Sequence, residues 1–155
     1  MPSDLPAFQS LPQGAEPAVI ALWDRCGSTR PWNPPEQDIA ELRAHETADL
    51  LVAMQGDKVL ASIAVGYDGH RGWVYYVAAD PDCRGQGLGR AAMAAAEDWL
   101  RARGVHKLQL MVRDNNLQVM GFYESLGYED AKCRVMQKWI DPEREQIFLE
   151  TSNDF

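Results

Sequence analysis

The residues best suited to chemistry form one short run, Arg84-Gly85-Gln86-Gly87-Leu88-Gly89-Arg90. A stretch dense in β-formers precedes it (Trp73-Val74-Tyr75-Tyr76-Val77-Ala78-Ala79), and an alanine-rich amphipathic stretch follows. The run therefore predicts a strand-to-helix loop. The first turn of a helix presents backbone N–H groups without intrahelical acceptors, together with the positive end of the helix dipole. Glycines there let a phosphate approach the main chain with no Cβ in the way. Residues 84–90 can thus cradle a pyrophosphate. Two familiar phosphate patterns fail at named positions. A Walker A loop needs Gly-Lys-Ser/Thr where Gly89-Arg90-Ala91 stands, and a dinucleotide fingerprint needs a third glycine where Arg90 sits. Taken alone, the loop also allows the lesser reading of a glycine-rich turn that serves packing. A second constellation lies downstream: Asn116-x-x-Val119-x-x-x-Tyr123-Glu124-x-x-Gly127-Tyr128.

Together the two runs resemble the GNAT family of N-acetyltransferases. Arg84-x-x-Gly87-x-Gly89 after Val77-Ala78-Ala79-Asp80-Pro81 is similar to that family's acyl-CoA motif. The run from Asn116 to Tyr128 is similar to its second block, with Val119 for the usual Ala and Tyr128 for the usual Phe. The resemblance spans 16–139. Within it, Arg30-Pro31-Trp32-Asn33 and the segment 67–72 resemble the YpeA-like branch. The resemblance implies acetyl-CoA as co-substrate, with strands 73–79 and 107–112 splayed apart. The pantetheine arm would then bond main-chain groups at Val77, Ala78 and Ala79, and the pyrophosphate would sit on the amides of Arg84, Gly85, Gln86, Gly87, Leu88, Gly89 and Arg90. It implies that Asn116 bonds the arm or the following turn, although the residue reads equally as a helix N-cap. An N–H near residue 77 would meet the oxyanion, and Tyr123 would protonate the leaving thiolate. A phenol with pKa of about 10 can donate to a thiolate whose thiol pKa is about 8.5. Read on its own, Tyr123 is also compatible with a core aromatic.

The acceptor would then be an amine attacking the thioester directly. The elements left to wall its site are the segments 27–38 and 67–73, which carry Arg30, Trp32, His70 and Arg71. An Arg fork suits a carboxylate-bearing amine such as an amino acid or a peptide terminus, the acceptor expected here, whereas a cleft lined by Asp38 and Asp68 suits a polyamine-like one. Candidates for the base are Asp68, His70, Tyr75, Tyr76, Glu36 and Asp38. Another class of function fits the same motifs, a non-catalytic module that senses acyl-CoA.

The elements that must position these residues follow from periodicity and turn signals. Helices are predicted over 16–26, 36–46, 87–103 and 117–126, and strands over 5–10, 50–55, 59–67, 73–79, 107–112 and 128–139. Tight turns join the early strands, and a helix crosses between 73–79 and 107–112. The fold class is therefore α/β: a mixed, mostly antiparallel sheet with one parallel pair and helices on both faces. The chain has 155 residues, 46% of them hydrophobic and 25% charged, which suits one domain over 1–140 with an acidic extension over 141–155. Its net charge of −8 speaks against nucleic acid as a partner. The apolar stretches are too short for a membrane span, and the first residues carry no signal-peptide pattern. Cys26, Cys83 and Cys133 lie far apart, without the spacing of a disulfide framework or a zinc site. We therefore expect a cytoplasmic protein without metal, as a monomer or homodimer.

Overall fold

In the computed structural model, which describes residues 4–155, the chain forms two compact units divided between Leu110 and Met111. The first holds a five-stranded sheet in the order β1-β2-β3-β4-β5. Its strands are β1 (Phe8–Ser10), β2 (Ala48–Gln55), β3 (Lys58–Tyr67), β4 (Gly72–Ala79) and β5 (Leu108–Gln109). Neighbours from β1 to β4 are antiparallel and β4–β5 is parallel, as the order of turns and crossover requires. Gly56, at φ +60°, supplies the left-handed backbone of the tight β2–β3 turn.

Helices α1 (Glu16–Arg25) and α2 (Pro35–Ala44) open with Pro in the first turn and carry acids near their N-termini. Val19, Leu22, Trp23 and Ile39 turn inward onto Leu50, Val52, Val59, Ala64 and Ala78 of the sheet. Helix α3 (Leu88–Arg101) crosses from β4 to β5 and buries Leu88, Ala92, Met93, Ala96 and Leu100. Leu88 joins a separate cluster with Ala53, Leu60 and Ala61. Among the described residues, no helix is long and apolar enough to cross a membrane.

The second unit contains α4 (Leu117–Ser125) and α5 (Pro142–Thr151). The acidic C-terminal residues thus form a helix, capped by the Asp141 carboxylate on the N–H groups of Glu143 and Arg144. Two expectations change. The strand predicted over 107–112 narrows to Leu108–Gln109, and 128–139 contains no strand. In the latter segment the Asp130 carboxylate accepts from the Lys132 N–H at 2.7 Å, and Lys132 adopts φ +55°. A side chain that bonds its own backbone competes with strand pairing, and a left-handed residue breaks the extended run.

α3 approaches the sheet so closely that β4 begins with a glycine. A Cβ on Gly72 would lie 2.5 Å from Leu100 Cδ1 and 2.7 Å from Cδ2. Leu100 is buried, so it has little room to give. Gly72→Ala should therefore destabilise the protein by about 1–3 kcal/mol, the usual cost of overpacking. A urea midpoint equal to that of the wild type would refute this close approach.

Candidate active site

Two backbone features meet at the end of β4. The first is the loop that leads into α3. Gly85 and Gly87 have φ +79° and +84°, and Gly87 is the helix N-cap. Space lies open where a Cβ would project at Gly85, and at Gly87 the nearest atom is Leu5 Cδ1 at 4.0 Å. Among the described residues, no acceptor takes the N–H groups of Gly87, Leu88, Gly89 or Arg90. The first turn of α3 holds no acid, and Arg84 and Arg90 are exposed beside it. This is a row of free donors with positive flanks.

The entry to the loop is pinned by Asp80, a fully buried carboxylate. Oδ1 accepts from the Asp82 N–H at 2.9 Å, while Arg25 and Lys58 approach Oδ2 at 3.2 and 3.1 Å. The sequence marked Asp80 only as part of a motif and a strand breaker; its ion pairs come from residues far away in the chain. The Asp82 N–H foremost, and then Lys58 and Arg25, hold the carboxyl below its ordinary range against the opposing effect of burial.

The second feature is a bulge within β4. Ala64 pairs with Tyr75 and Ser62 with Ala78, so Tyr76 and Val77 together face Ile63 alone. Tyr76 takes φ +52°, a conformation that L residues rarely adopt. Several contacts hold it there. Its ring stacks on Trp23 with centroids 3.9 Å apart and planes 14° apart. Ser62 Oγ donates to the Tyr76 carbonyl at 2.8 Å and accepts from Trp23 Nε1 at 2.9 Å. The Tyr76 hydroxyl donates to Asp38 Oδ2 at 2.5 Å. Burial and the Asp38 carboxylate both push the phenol's pKa up, so it remains a donor.

Among the described residues, the outer edge of β4 is unpaired over most of its length. β5 meets it only at Gly72↔Leu108 and Trp73↔Gln109. The Asp80 N–H reaches back to the Leu60 carbonyl of β3. Antiparallel alternation from there turns the main-chain groups of Ala79 and Val77 away from β3, toward the open edge. The Ala79 carbonyl meets the Cys26 thiol at 3.2 Å. Burial pushes that thiol's pKa up, which disfavours the thiolate. Ala78 turns its side chain into the core.

The other residues singled out by the sequence occupy defined places. Asn116 is the N-cap of α4, its side chain accepting from the Val119 N–H at 3.2 Å. Tyr123 is 9% exposed, packed edge-on against Phe122 and Tyr128. Its hydroxyl makes no hydrogen bond among the described residues, and burial raises its pKa. Arg30 donates to the carbonyls of Gly27 and Thr29, and Trp32 is buried under its loop. Asp68 accepts from the N–H groups of His70 and Arg71 and from Trp73 Nε1, so its carboxylate is committed to the turn. His70 and Arg71 lie on that turn, with Arg71 donating to the His70 carbonyl.

An open strand edge running toward a row of free amides suits a long ligand with an amide-bearing arm and a phosphate end. The chain belongs to the acetyltransferase (GNAT) family, whose model matches residues 17–128. An acetyltransferase of Pectobacterium atrosepticum is 44% identical over 128 residues, covering 83% of this chain and 91% of its own. The ribosomal-protein-S18-alanine N-acetyltransferase of Escherichia coli is 29% identical, with a TM-score of 0.68 over 81% of this chain and 79% of that one. AAC(6')-Iy, solved with the bisubstrate analogue CoA-S-monomethyl-acetylneamine, shares the fold at 12% identity, with a TM-score of 0.69 over 85% and 96% of the two chains.

The buried Asp80 makes a pH prediction. Its stabilisation is complete above the unfolded carboxyl pKa of about 3.9 and is lost as pH falls through the lower folded value. Asp80→Asn should cost about 1–3 kcal/mol at pH 7 and flatten the loss of stability as pH falls below about 4. Urea midpoints across that range test it; an unchanged acid limb in the variant would dismiss the role.

Proposed function

We propose that this acetyltransferase carries the acetyl group of acetyl-CoA to a primary amine by direct attack within a ternary complex. The observation that carries the proposal is the open β4 edge leading to the free amides of α3. The left-handed glycines leave the space a phosphate needs, and the edge offers main-chain partners to an extended arm, so these residues fit the group. This is strand addition by a ligand. When bound, acetyl-CoA supplies a thioester whose carbonyl is open to a nitrogen nucleophile.

The chain's own residues divide the remaining work. The amides of residues 84–90, flanked by Arg84 and Arg90, hold the pyrophosphate. Val77 and Ala79 bond the arm, and the Val77 N–H stands ready for negative charge developing on the carbonyl oxygen. Asn116 supports the arm through the side-chain N–H2 that its cap leaves unused. We assign proton delivery to the departing sulfur to Tyr123, on its place in the second motif and its unengaged hydroxyl; the raised pKa keeps that phenol protonated. Arg30, Trp32, His70 and Arg71 remain the proposed walls of the acceptor side. The name of the Escherichia coli neighbour describes acetylation of an amine, and the bisubstrate analogue in AAC(6')-Iy joins both substrates in one molecule. Three free thiols suit the reducing cytoplasm as the working compartment.

Acetyl-CoA at 100 times its dissociation constant should stabilise the protein by about 2.7 kcal/mol, while acetate should not. Gly87→Asp should remove that shift by placing a carboxylate in the amide row. A thermal melt of the wild type unmoved by millimolar acetyl-CoA would overturn the proposal. Tyr123→Phe should keep the shift and lower kcat about 10²–10⁴-fold, the usual contribution of a proton donor. Unchanged turnover, followed by thiol release, would make Tyr123 structural.

A further inference from the structure

The bulge is held from the α2 side by a carboxylate that no cation neutralises. Asp38 is half-buried, and its Oδ2 receives the Tyr76 hydroxyl. Its Oδ1 has no hydrogen-bond partner among the described residues, and no described Lys or Arg lies within ion-pair distance of either oxygen. Most other charged groups on the packed elements are committed elsewhere. On α1, Arg25 pairs with Asp80, Asp24 accepts from Thr29, and Glu16 pairs with Arg43 of α2. On α2, Glu41 pairs with His45 after the helix, and Glu36 is exposed. On β2, Asp49 accepts from Ser10, and on β4 Tyr76 is the titratable group that meets Asp38. An unpaired carboxylate held partly out of water attracts a cation.

We propose that Asp38, positioned by Tyr76, receives the acceptor as an ammonium and takes its proton, and that the acceptor is a primary amine with no carboxylate beside the nitrogen. This deepens the function proposed above and rests on it. Tyr76 is part of the bulge and adjoins Val77, so its hydroxyl holds the carboxylate one tyrosine side chain away from the backbone at which the acyl carbonyl is expected. An acidic group on the acceptor would meet Asp38 with like charge. Arg30 and Arg71 donate to carbonyls of their own loops, and the chain as a whole carries −8.

The proton and electron balance is simple. The ammonium gives one proton to Asp38, and the freed lone pair forms the C–N bond. The C–S bond breaks with its electron pair on sulfur, the sulfur gains a proton and the nitrogen loses its second. One proton returns from Asp38 to solvent, so the products are an amide, a thiol and H⁺.

The test uses the full chain with acetyl-CoA and three probe acceptors: 1,4-diaminobutane, alaninamide and alanine. Alaninamide and alanine differ in whether a carboxylate stands beside the amine. We expect transfer to the first two at least ten times faster than to alanine. Asp38→Asn keeps an acceptor for the Tyr76 hydroxyl but removes the charge. It should retain the acetyl-CoA melt shift and lower kcat/KM at pH 7 by about 10²-fold. The gap should close as pH rises toward the pKa of the amine, where neutral amine no longer needs a base. Tyr76→Phe should lower kcat/KM less and leave the shape of the pH profile as in the wild type, because the carboxylate remains. Equal pH profiles for Asp38→Asn and the wild type would overturn the role of Asp38, and faster transfer to alanine would overturn the acceptor class. A wild type that binds no acetyl-CoA would instead remove the underlying function.

Discussion

β4 carries one residue more than β3 can match, and the consequences of that mismatch reach every part of the candidate site. Tyr76 accommodates it in a left-handed conformation, which costs of the order of 1–3 kcal/mol. Stacking on Trp23 returns about 0.5–1.5 kcal/mol, and hydrogen bonds from Ser62 and to Asp38 contribute comparable amounts. The bulge thus persists because α1, α2 and β3 each hold it in place. A bulge bends its strand and increases local twist. Beyond Trp73 no described strand pairs with the outer edge of β4, and main-chain groups that would complete a sheet have no strand partner there.

The same strand delivers its end to a helix start with spare donors. Asp80 sets that junction by drawing Arg25 from α1 and Lys58 from β3 onto one buried carboxylate. Leu88 anchors the first turn of α3 in the core while Gly85, Gln86 and Gly87 stay exposed. The end of β4 thus carries both the open edge and the entry to the amide row, a preorganised arrangement that would spare a long flexible ligand the cost of ordering the protein. Sites on strand ends and helix starts keep their geometry better than sites on free loops.

Charge acts at two scales. The surface is acidic overall, which favours cationic small molecules without choosing among them. Near the bulge the balance is local: Asp80 and Glu16 are matched by cations, whereas among the described residues Asp38 meets a neutral hydroxyl and no cation. Asp68, by contrast, spends its oxygens on its own turn. Two acids that looked alike in composition thus have different chemistry, decided by what each one faces.

Much of the fold was legible in the residues themselves. The helices, the hairpins and the strand-to-helix loop depend on periodicity, proline placement and glycines at turns, all of which act within a few positions. Gly85 and Gly87 could be assigned to the loop because the required backbone is a local property. Asn116 was readable as a cap for the same reason. What the residues could not disclose involves partners far apart in sequence. The bulge exists only in the register of β3 against β4, the Tyr76–Asp38 bond joins residues 38 positions apart, and Asp80 finds Arg25 across 55. The strand read into 128–139 fails for the opposite reason: the β-like pattern gives way to a local bond between Asp130 and Lys132. Sequence determined the helices, the hairpins and the glycine loop before α3, because those follow from neighbours along the chain. Tertiary structure alone decided which backbone edge stays open and which carboxylate stays unpaired, because each depends on what distant segments bring to it.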